Sequence, residues 1–365
     1  MPTWFAVIPP GLEPALVAEL REKGIENPVV QPGGARFEAG LEQGARLAGA
    51  LRTPSRLLLE LAHARASSLE GVGSLARSVN WKPYLEPGIP VNVECSARES
   101  RVRFPDAISR KLSVSIQDAL RGPRLPTMRS GRPPEPQRVT VRLQDNIARL
   151  SIDAGGELLH MRGWRRDSVR APIRENLASA LLYIAKWDPS EPLYDPFCGS
   201  GTIPIEAALR ALGAPPAQQR RYAWQDWPAL RGKSPPPPAK RALRTVGHIW
   251  GSDKEGRALA AAVDNASRAG VSLSWAEHDI ADVVAPAELG LIVANPPYGE
   301  RLGQSVEGVY SAFGRVLRER FGGWRVLFLA PHAGLAQRVD RDCKRLLTFS
   351  NGGIRVGAWS LTVGG

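Results

Sequence analysis

The stretch 194-YDPFCGSGTIPIEAAL-209 decides the fold. A short apolar strand ends on Asp195, a glycine-bearing turn follows, and a helix opens directly after it. Gly199 and Gly201 permit positive φ and let backbone amides come close to a ligand. The N-terminus of the helix favours an anionic group such as a carboxylate. A carboxylate at the strand tip suits an ammonium group. Together they describe a site for an amino-acid-like zwitterion. The spacing is not the G-x-G-x-x-G of dinucleotide binders, and no P-loop lysine is present. The plain alternative is an ordinary strand–turn–helix.

Working outward, segments of strand and helix character alternate from here to the end of the chain. They are 192-PLYDPF, a helix over 202–212, 248-HIWGSD, a helix over 255–269, 272-SLSWAEHD, 290-GLIVANP, a helix over 306–320, 324-WRVLFLA, 344-KRLLTFS and 354-IRVGAWSL. That alternation predicts a parallel, doubly wound sheet. Acids recur at the strand ends. Asp253, in 250-WGSDKEG-256, suits ribose hydroxyls or a helix N-cap. Asp279, in 276-AEHDI-280, suits an adenine amino group or a turn cap. Strand-tip groups in such a sheet converge on one crevice at its carboxyl edge.

The apolar run 289-LGLIVA-294 leads into 295-NPPYGE-300. Two prolines there remove two backbone donors, so a structural role alone is a poor use of them. Asn295 offers an amide oxygen, Pro296 a carbonyl, and Tyr298 a flat ring. An exocyclic amino group on a heterocycle is a weak nucleophile because its lone pair is delocalised. Two acceptors that take its two hydrogens draw that nitrogen towards tetrahedral geometry. A ring stacked on the base fixes its height, a contact worth ~1–3 kcal/mol. Alignment with an electrophilic methyl is then an orientation effect.

The first 160 residues read as α+β. A helix is predicted over 13–24, with Leu16, Val17 and Leu20 inward and Gly24 as C-cap. Strand then helix occupy 54–80, and 89-IPVNVECSA-97 alternates as a strand. The helix 105-PDAISRKLSVSIQDALRG-122 carries the face Ile108, Leu112, Ile116 and Leu120. Three strands follow as a meander: 138–144, 147–153 and 157–163, with turns at Asp145-Asn146 and Gly155-Gly156. The segment 213–245 holds 234-SPPPPAK-240 and seven Lys/Arg against one Asp. It reads as a basic surface insertion.

Composition bounds the function. The 365 residues carry a net charge of +12. Residues 101–150 hold 11 basic against 4 acidic side chains and 201–250 hold 8 against 2, whereas 251–300 hold 3 against 8. Basic flanks around an acidic strand-tip region point to a polyanionic partner, nucleic acid first. The alternative is the solubility of an arginine-rich proteome. The N-terminus lacks the basic and apolar regions of a signal peptide, and no apolar run approaches the ~20 residues of a membrane span. Cys95, Cys198 and Cys343 are too few and too scattered for a disulfide framework or zinc site, so a reducing cytoplasm is the default and no metal is expected.

D-P-F-C-G-S-G followed by N-P-P-Y resembles the class I S-adenosylmethionine (SAM)-dependent methyltransferases that modify amino groups of nucleic-acid bases. The segment 160-HMRGWRRDSVRAPIRENLASALL-182 is similar to the linker and first helix of THUMP-containing RNA guanine-N2 methyltransferases. The insert 217-AQQRRYAWQDWPAL-230 resembles that of the bacterial 23S rRNA member. The resemblance implies a Rossmann-like α/β methyltransferase sheet over 179–365, reached through a linker and first helix at 158–178. Before it come a ferredoxin-like domain at 1–53 and a THUMP domain at 54–157. It assigns Asp195, Phe197, Gly199, Ser200 and Gly201 to the methionine part of SAM, Asp253 to the ribose and Asp279 to the adenine. Glu175 and Asn176 border the cofactor. Asn295, Pro296, Pro297 and Tyr298 form the catalytic tetrad, with Asn295 also beside SAM. The implied partner is structured RNA, 23S rRNA or else tRNA, with a monomer as default. The proteobacterial rRNA enzyme continues into a second methyltransferase domain that this sequence does not include. Arg98, Arg101, Arg103, Arg162, Arg165, Arg166, Arg220 and Arg221 are the candidate RNA contacts, although any one of them alone fits a solvated surface charge. Adenine-N6 DNA methylation and a non-catalytic RNA-binding factor are the competing classes. His160 and His332 read as structural.

Overall fold

The structure is a computed structural model that describes residues 1–120, 136–165, 173–217, 220–234, 244–298 and 305–364. Its first half contains β1 (Thr3–Val7), α1 (Glu13–Glu22), β2 (Val29–Gln31), β3 (Gly34–Glu38), α2 (Leu41–Leu47), β4 (Arg56–Arg65), α3 (Leu69–Ser78), β5 (Val91–Arg98), α4 (Pro105–Ala119), β6 (Gln137–Gln144) and β7 (Ile147–Asp153). These strands form one sheet in the order β2-β3-β1-β4-β7-β6-β5. β4 is the hinge of this arrangement. Its start pairs antiparallel with β1, and most of its length pairs antiparallel with β7. The 53/54 boundary read from the sequence therefore falls just before a strand that both subregions share.

Local chemistry explains the elements. In α4 the expected face Ile108, Leu112, Ile116 and Leu120 is buried, and Pro105 opens the helix where its missing N–H costs nothing. Asp145 and Asn146 both take positive φ, at 52° and 59°, in the two-residue turn between β6 and β7. Two expectations fail here. β6 also pairs parallel with β5 across α4, so the region is not a simple meander. Residues 157–163 form no strand. Gly155-Gly156 ends the ladder, and the carbonyls of Gly155, Glu157, Leu158 and Met161 bond to the guanidinium of Arg220 instead of a strand partner.

The second half contains α5 (Glu175–Ile184), β8 (Leu193–Asp195), α6 (Thr202–Ala211), β9 (Arg244–Asp253), α7 (Gly256–Ala269), β10 (Val271–Glu277), β11 (Leu291–Ala294), α8 (Val306–Arg320), β12 (Arg325–Ala330), α9 (Ala333–Val339), β13 (Lys344–Asn351) and β14 (Ile354–Thr362). The sheet order is β10-β9-β8-β11-β12-β14-β13. Strands β8 to β12 run parallel, and β8 and β11 are buried along their whole length, as strands covered on both faces must be. β14 is the exception to the all-parallel expectation, lying antiparallel to both neighbours. The order reverses between β8 and β11, which places a crevice at their carboxyl ends.

The insertion departs most from its reading. Tyr222, Trp224, Trp227 and Leu230 are all buried. Trp227 stacks on Trp4 at 6.4 Å, meets Tyr84 edge-on at 5.5 Å, and donates from Nε1 to Gln137 Oε1 at 3.1 Å. This part of the insert is a strap that ties the second half of the chain to the first sheet. Its proline run at 235–238 lies outside the described residues. Among the described residues, no helix is long and apolar enough to cross a membrane.

Candidate active site

The carboxyl ends of four neighbouring strands bring the candidate residues together. Asp195 ends β8 opposite Gly251 of β9, and Asp253 ends β9 opposite Glu277 of β10. β11 pairs with β8 through Leu291↔Leu193 and Ile292↔Tyr194, so Asn295 leaves the sheet beside Asp195.

Asp195 is 1% exposed, and its Oδ1 accepts from the Phe197 amide at 3.0 Å. Burial pushes its carboxyl well above the usual range, the Phe197 amide opposes this, and the nearby Asp253 adds to it. Asp253 is raised for the same first reason, burial. Its Oδ2 accepts from Gly199 N at 2.9 Å and its Oδ1 from Glu255 N at 3.0 Å. One acid therefore holds the glycine loop and leads into α7. Two desolvated carboxyls side by side favour a cationic ligand, which would restore their ionised forms.

The two loop glycines have different reasons. Gly199 has φ 53°, and a side chain there would meet open space. It faces room for a ligand. Gly201 has φ 82°, and a Cβ there would lie 2.8 Å from the Trp275 ring. It is glycine because the turn packs against β10. Gly251 meets the same ring, with a Cβ at 2.6 Å. Neither Gly251 nor Trp275 stood out in the sequence, because their contact joins two different strands.

Asn295 Oδ1 is buried and has no hydrogen-bond partner among the described residues. Ser200 Oγ is buried and unpartnered in the same way. Other buried polar atoms share this state, Asn176 Oδ1 and Trp224 Nε1 among them, but Asn295 and Ser200 lie at the strand-tip crevice, where a ligand group can supply the partner. Pro296 is buried, and Pro297 and Tyr298 are partly so. Phe197 meets Phe313 edge-on at 5.3 Å, which fixes the turn after Asp195. Tyr298 accepts from Asn351 Nδ2 at 2.6 Å, and burial raises its phenol.

Other residues take different places. Asp279 is exposed and accepts from Ala281 N at 3.0 Å, the turn-cap alternative, while it remains at the β10 edge of the crevice. Glu175 pairs with Arg165 at 3.3 Å, and Arg165 donates to Thr202 Oγ1 at 2.6 Å at the start of α6. Both thus sit behind the glycine loop. Asn176 donates to the Thr53 carbonyl at 3.3 Å, a tie between the two halves.

The eight candidate arginines separate sharply. Arg98, Arg101 and Arg103 are exposed, and Phe104 beside them is 73% exposed. Arg221 is exposed and paired with Asp226. Arg162 is 4% exposed and bonds Glu206, Leu159 O and Arg52 O, so it is internal and unavailable to an RNA backbone. Arg220 spends its guanidinium on four carbonyls, and Arg165 on Thr202 and Ile173 O. The sequence could not distinguish these roles, since arginine serves carbonyls and phosphates with the same fork. Arg166 lies outside the described residues. His332 caps α9 through Leu335 N, and burial lowers His160 to about 4, so it stays neutral at physiological pH.

A family model described as "RMKL-like, methyltransferase domain" matches residues 162–356, and one described as "RlmL ferredoxin-like domain" matches residues 3–58. A Synechocystis sp. protein provisionally named as an RNA methyltransferase is 30% identical over 362 residues, covering 96% of this chain and 94% of its own. The ribosomal RNA large subunit methyltransferase K/L of Vibrio cholerae is 33% identical over 369 residues, covering 97% of this chain and 52% of its own. The chain thus spans about half the length of the K/L relatives it matches. A solved structure of a provisionally identified methyltransferase complexed with SAH superposes with a TM-score of 0.83 at 25% identity, covering 100% of this chain and 98% of the other. The architecture is therefore the mixed α/β class I methyltransferase fold, preceded by a ferredoxin-like domain.

Proposed function

The chain belongs to the family of RMKL-like methyltransferases, and from that premise we propose that it methylates the N2 amino group of a guanine in 23S rRNA, using SAM. The observation that carries the reading is the unpartnered, buried Asn295 Oδ1 at the tip of β11, beside the acidic edge of β8 and β9.

The residues present fit SAM. Asp195 and Asp253 offer desolvated carboxyls to its ammonium and ribose, Ser200 offers an unpartnered hydroxyl, and the open side of Gly199 admits it against the start of α6. Asp279 keeps an exposed carboxyl at the adenine end. When bound, SAM supplies a methyl on a positively charged sulfur. Asn295 Oδ1 and the Pro296 carbonyl accept the two hydrogens of the guanine amino group and localise its lone pair. Pro297 holds the turn open, and Tyr298 stacks on the base. With SAM bound, Asn295 Oδ1 and the Pro296 carbonyl would hold the amino nitrogen in line while it takes up the methyl, and the nitrogen would then give up one proton to solvent. The order of events asks orientation, not a strong base, of the protein.

Residues 54–157 act in this reading as a THUMP domain. Its support is the exposed group Arg98, Arg101, Arg103 and Phe104, which offers phosphate forks and a stacking ring to RNA. K/L relatives named for large-subunit rRNA favour that substrate over tRNA. The compartment that fits is the cytoplasm.

The test is direct. Incubation with labelled SAM and 23S rRNA, tRNA or duplex DNA, then digestion, identifies the nucleoside. N2-methylguanosine from 23S rRNA is the expected product. The same product from tRNA alone would redirect the substrate, and N6-methyladenine or no label would overturn the reading. Asn295→Ala should lower turnover on the order of 10²-fold, because its bonds tighten only in the transition state, with SAM binding retained.

A further inference from the structure

The hairpin of β13 and β14 reaches the active site from an unexpected part of the chain. Its tip is Gly352-Gly353, with φ of 59° and 86°, closing on the Asn351↔Ile354 pair. Positive φ at both central positions is the signature of a two-residue turn whose twist matches the flanking strands. The backbone of Asn351 is thereby fixed. β13 runs antiparallel to β14, and β14 antiparallel to β12, so β13 ends at the same sheet edge as β11. There the Asn351 amide Nδ2 donates to the Tyr298 hydroxyl oxygen at 2.6 Å, across 53 residues of sequence.

A ring that only stacks on a base has no use for a hydroxyl, since phenylalanine stacks equally well. A hydrogen bond at the para oxygen pins the far end of the ring against swinging about χ1. The part-buried ring of Tyr298 packs on the main core, so it is held at both ends. We infer that Asn351 is a positioning residue for methyl transfer, setting the height and tilt of the Tyr298 ring against the target base. The inference rests on the reading of Tyr298 as the stacking residue.

Tyr298→Phe and Asn351→Ala remove the two sides of one bond. Each should lower kcat by about two- to tenfold, the range expected of one net hydrogen bond, with the Kd for SAM unchanged. The double variant should match either single one, because the same bond is lost once. Asn351→Asp, which accepts from the tyrosine O–H, should recover activity. Without turnover, 3-fluorotyrosine at position 298 gives a 19F resonance that shifts in the Asn351→Ala protein. Multiplicative losses, an unmoved 19F resonance, full activity of Asn351→Ala, or no recovery with Asp would each overturn the inference. A wild-type protein that methylates no RNA would sink the proposed function, and this inference with it. An active wild type with an indifferent Asn351 would sink this inference alone.

Discussion

Asp195 shows at the residue scale how a site is built against stability. Its carboxyl is buried beside Asp253 and is raised well above the ordinary range. Between the ordinary carboxylate pKa and the raised one, the folded protein binds more protons than the unfolded chain. Stability without ligand therefore falls as pH rises through that window, and the loss is complete above it. Asp195→Asn removes the buried charge and keeps an acceptor for Phe197 N–H. We expect it to melt above the wild type at neutral pH, with the gap closing as pH falls towards the ordinary carboxylate range, and to lose SAM affinity. Thermal melts across pH check this, and parallel pH profiles would count against it. The position of Asp195 was legible, because a strand, an acid and a glycine turn are neighbours in sequence. The partner of Tyr298 was not, because Asn351 is brought to it only by the sheet.

The insertion carries the lesson at the scale of the element. Its prolines and basic residues pointed to a surface arm, yet Tyr222, Trp224, Trp227 and Leu230 are buried. The aromatic residues were the signal for this, since large rings so closely spaced seldom all face water. Trp227→Ala should cost about 3–5 kcal/mol in denaturant unfolding, by loss of the Trp4 stack and the cavity left behind. Arg221→Ala, at an exposed side chain in the same insert, should leave the midpoint unchanged. Equal effects of the two would contradict the strap. By contrast, α4 was legible down to its buried face, because helical periodicity is a local property of the chain.

At the scale of the whole molecule, one buried carboxylate joins the two halves. Glu206 of α6 is fully buried and accepts from Ser179 Oγ at 2.5 Å and from Arg162 Nε at 3.3 Å, with Arg52 Nη1 at 3.6 Å. Arg52 also donates to the carbonyls of Leu209 and Ala214, and Glu19 of α1 holds the amides of Arg52 and Thr53. Because α6 begins at the glycine loop, this network sets the ferredoxin-like domain against that helix and its loop. Glu206→Ala leaves two guanidinium groups buried without their carboxylate and should cost about 3–5 kcal/mol. Calorimetry should then resolve separate transitions for the two halves, whereas a single unshifted transition would argue against the coupling. The sequence by itself determined most of the element types in the second half, the strand-tip acids and the N-P-P-Y turn, since each is encoded by residues within one or two turns of chain. Only the tertiary structure decided which arginines face inward, that β4 serves both halves of the first sheet, and that Asn351 meets Tyr298. Those outcomes depend on pairings between distant segments, and a side chain's chemistry does not reveal whether a carbonyl, a carboxylate or solvent will be waiting for it.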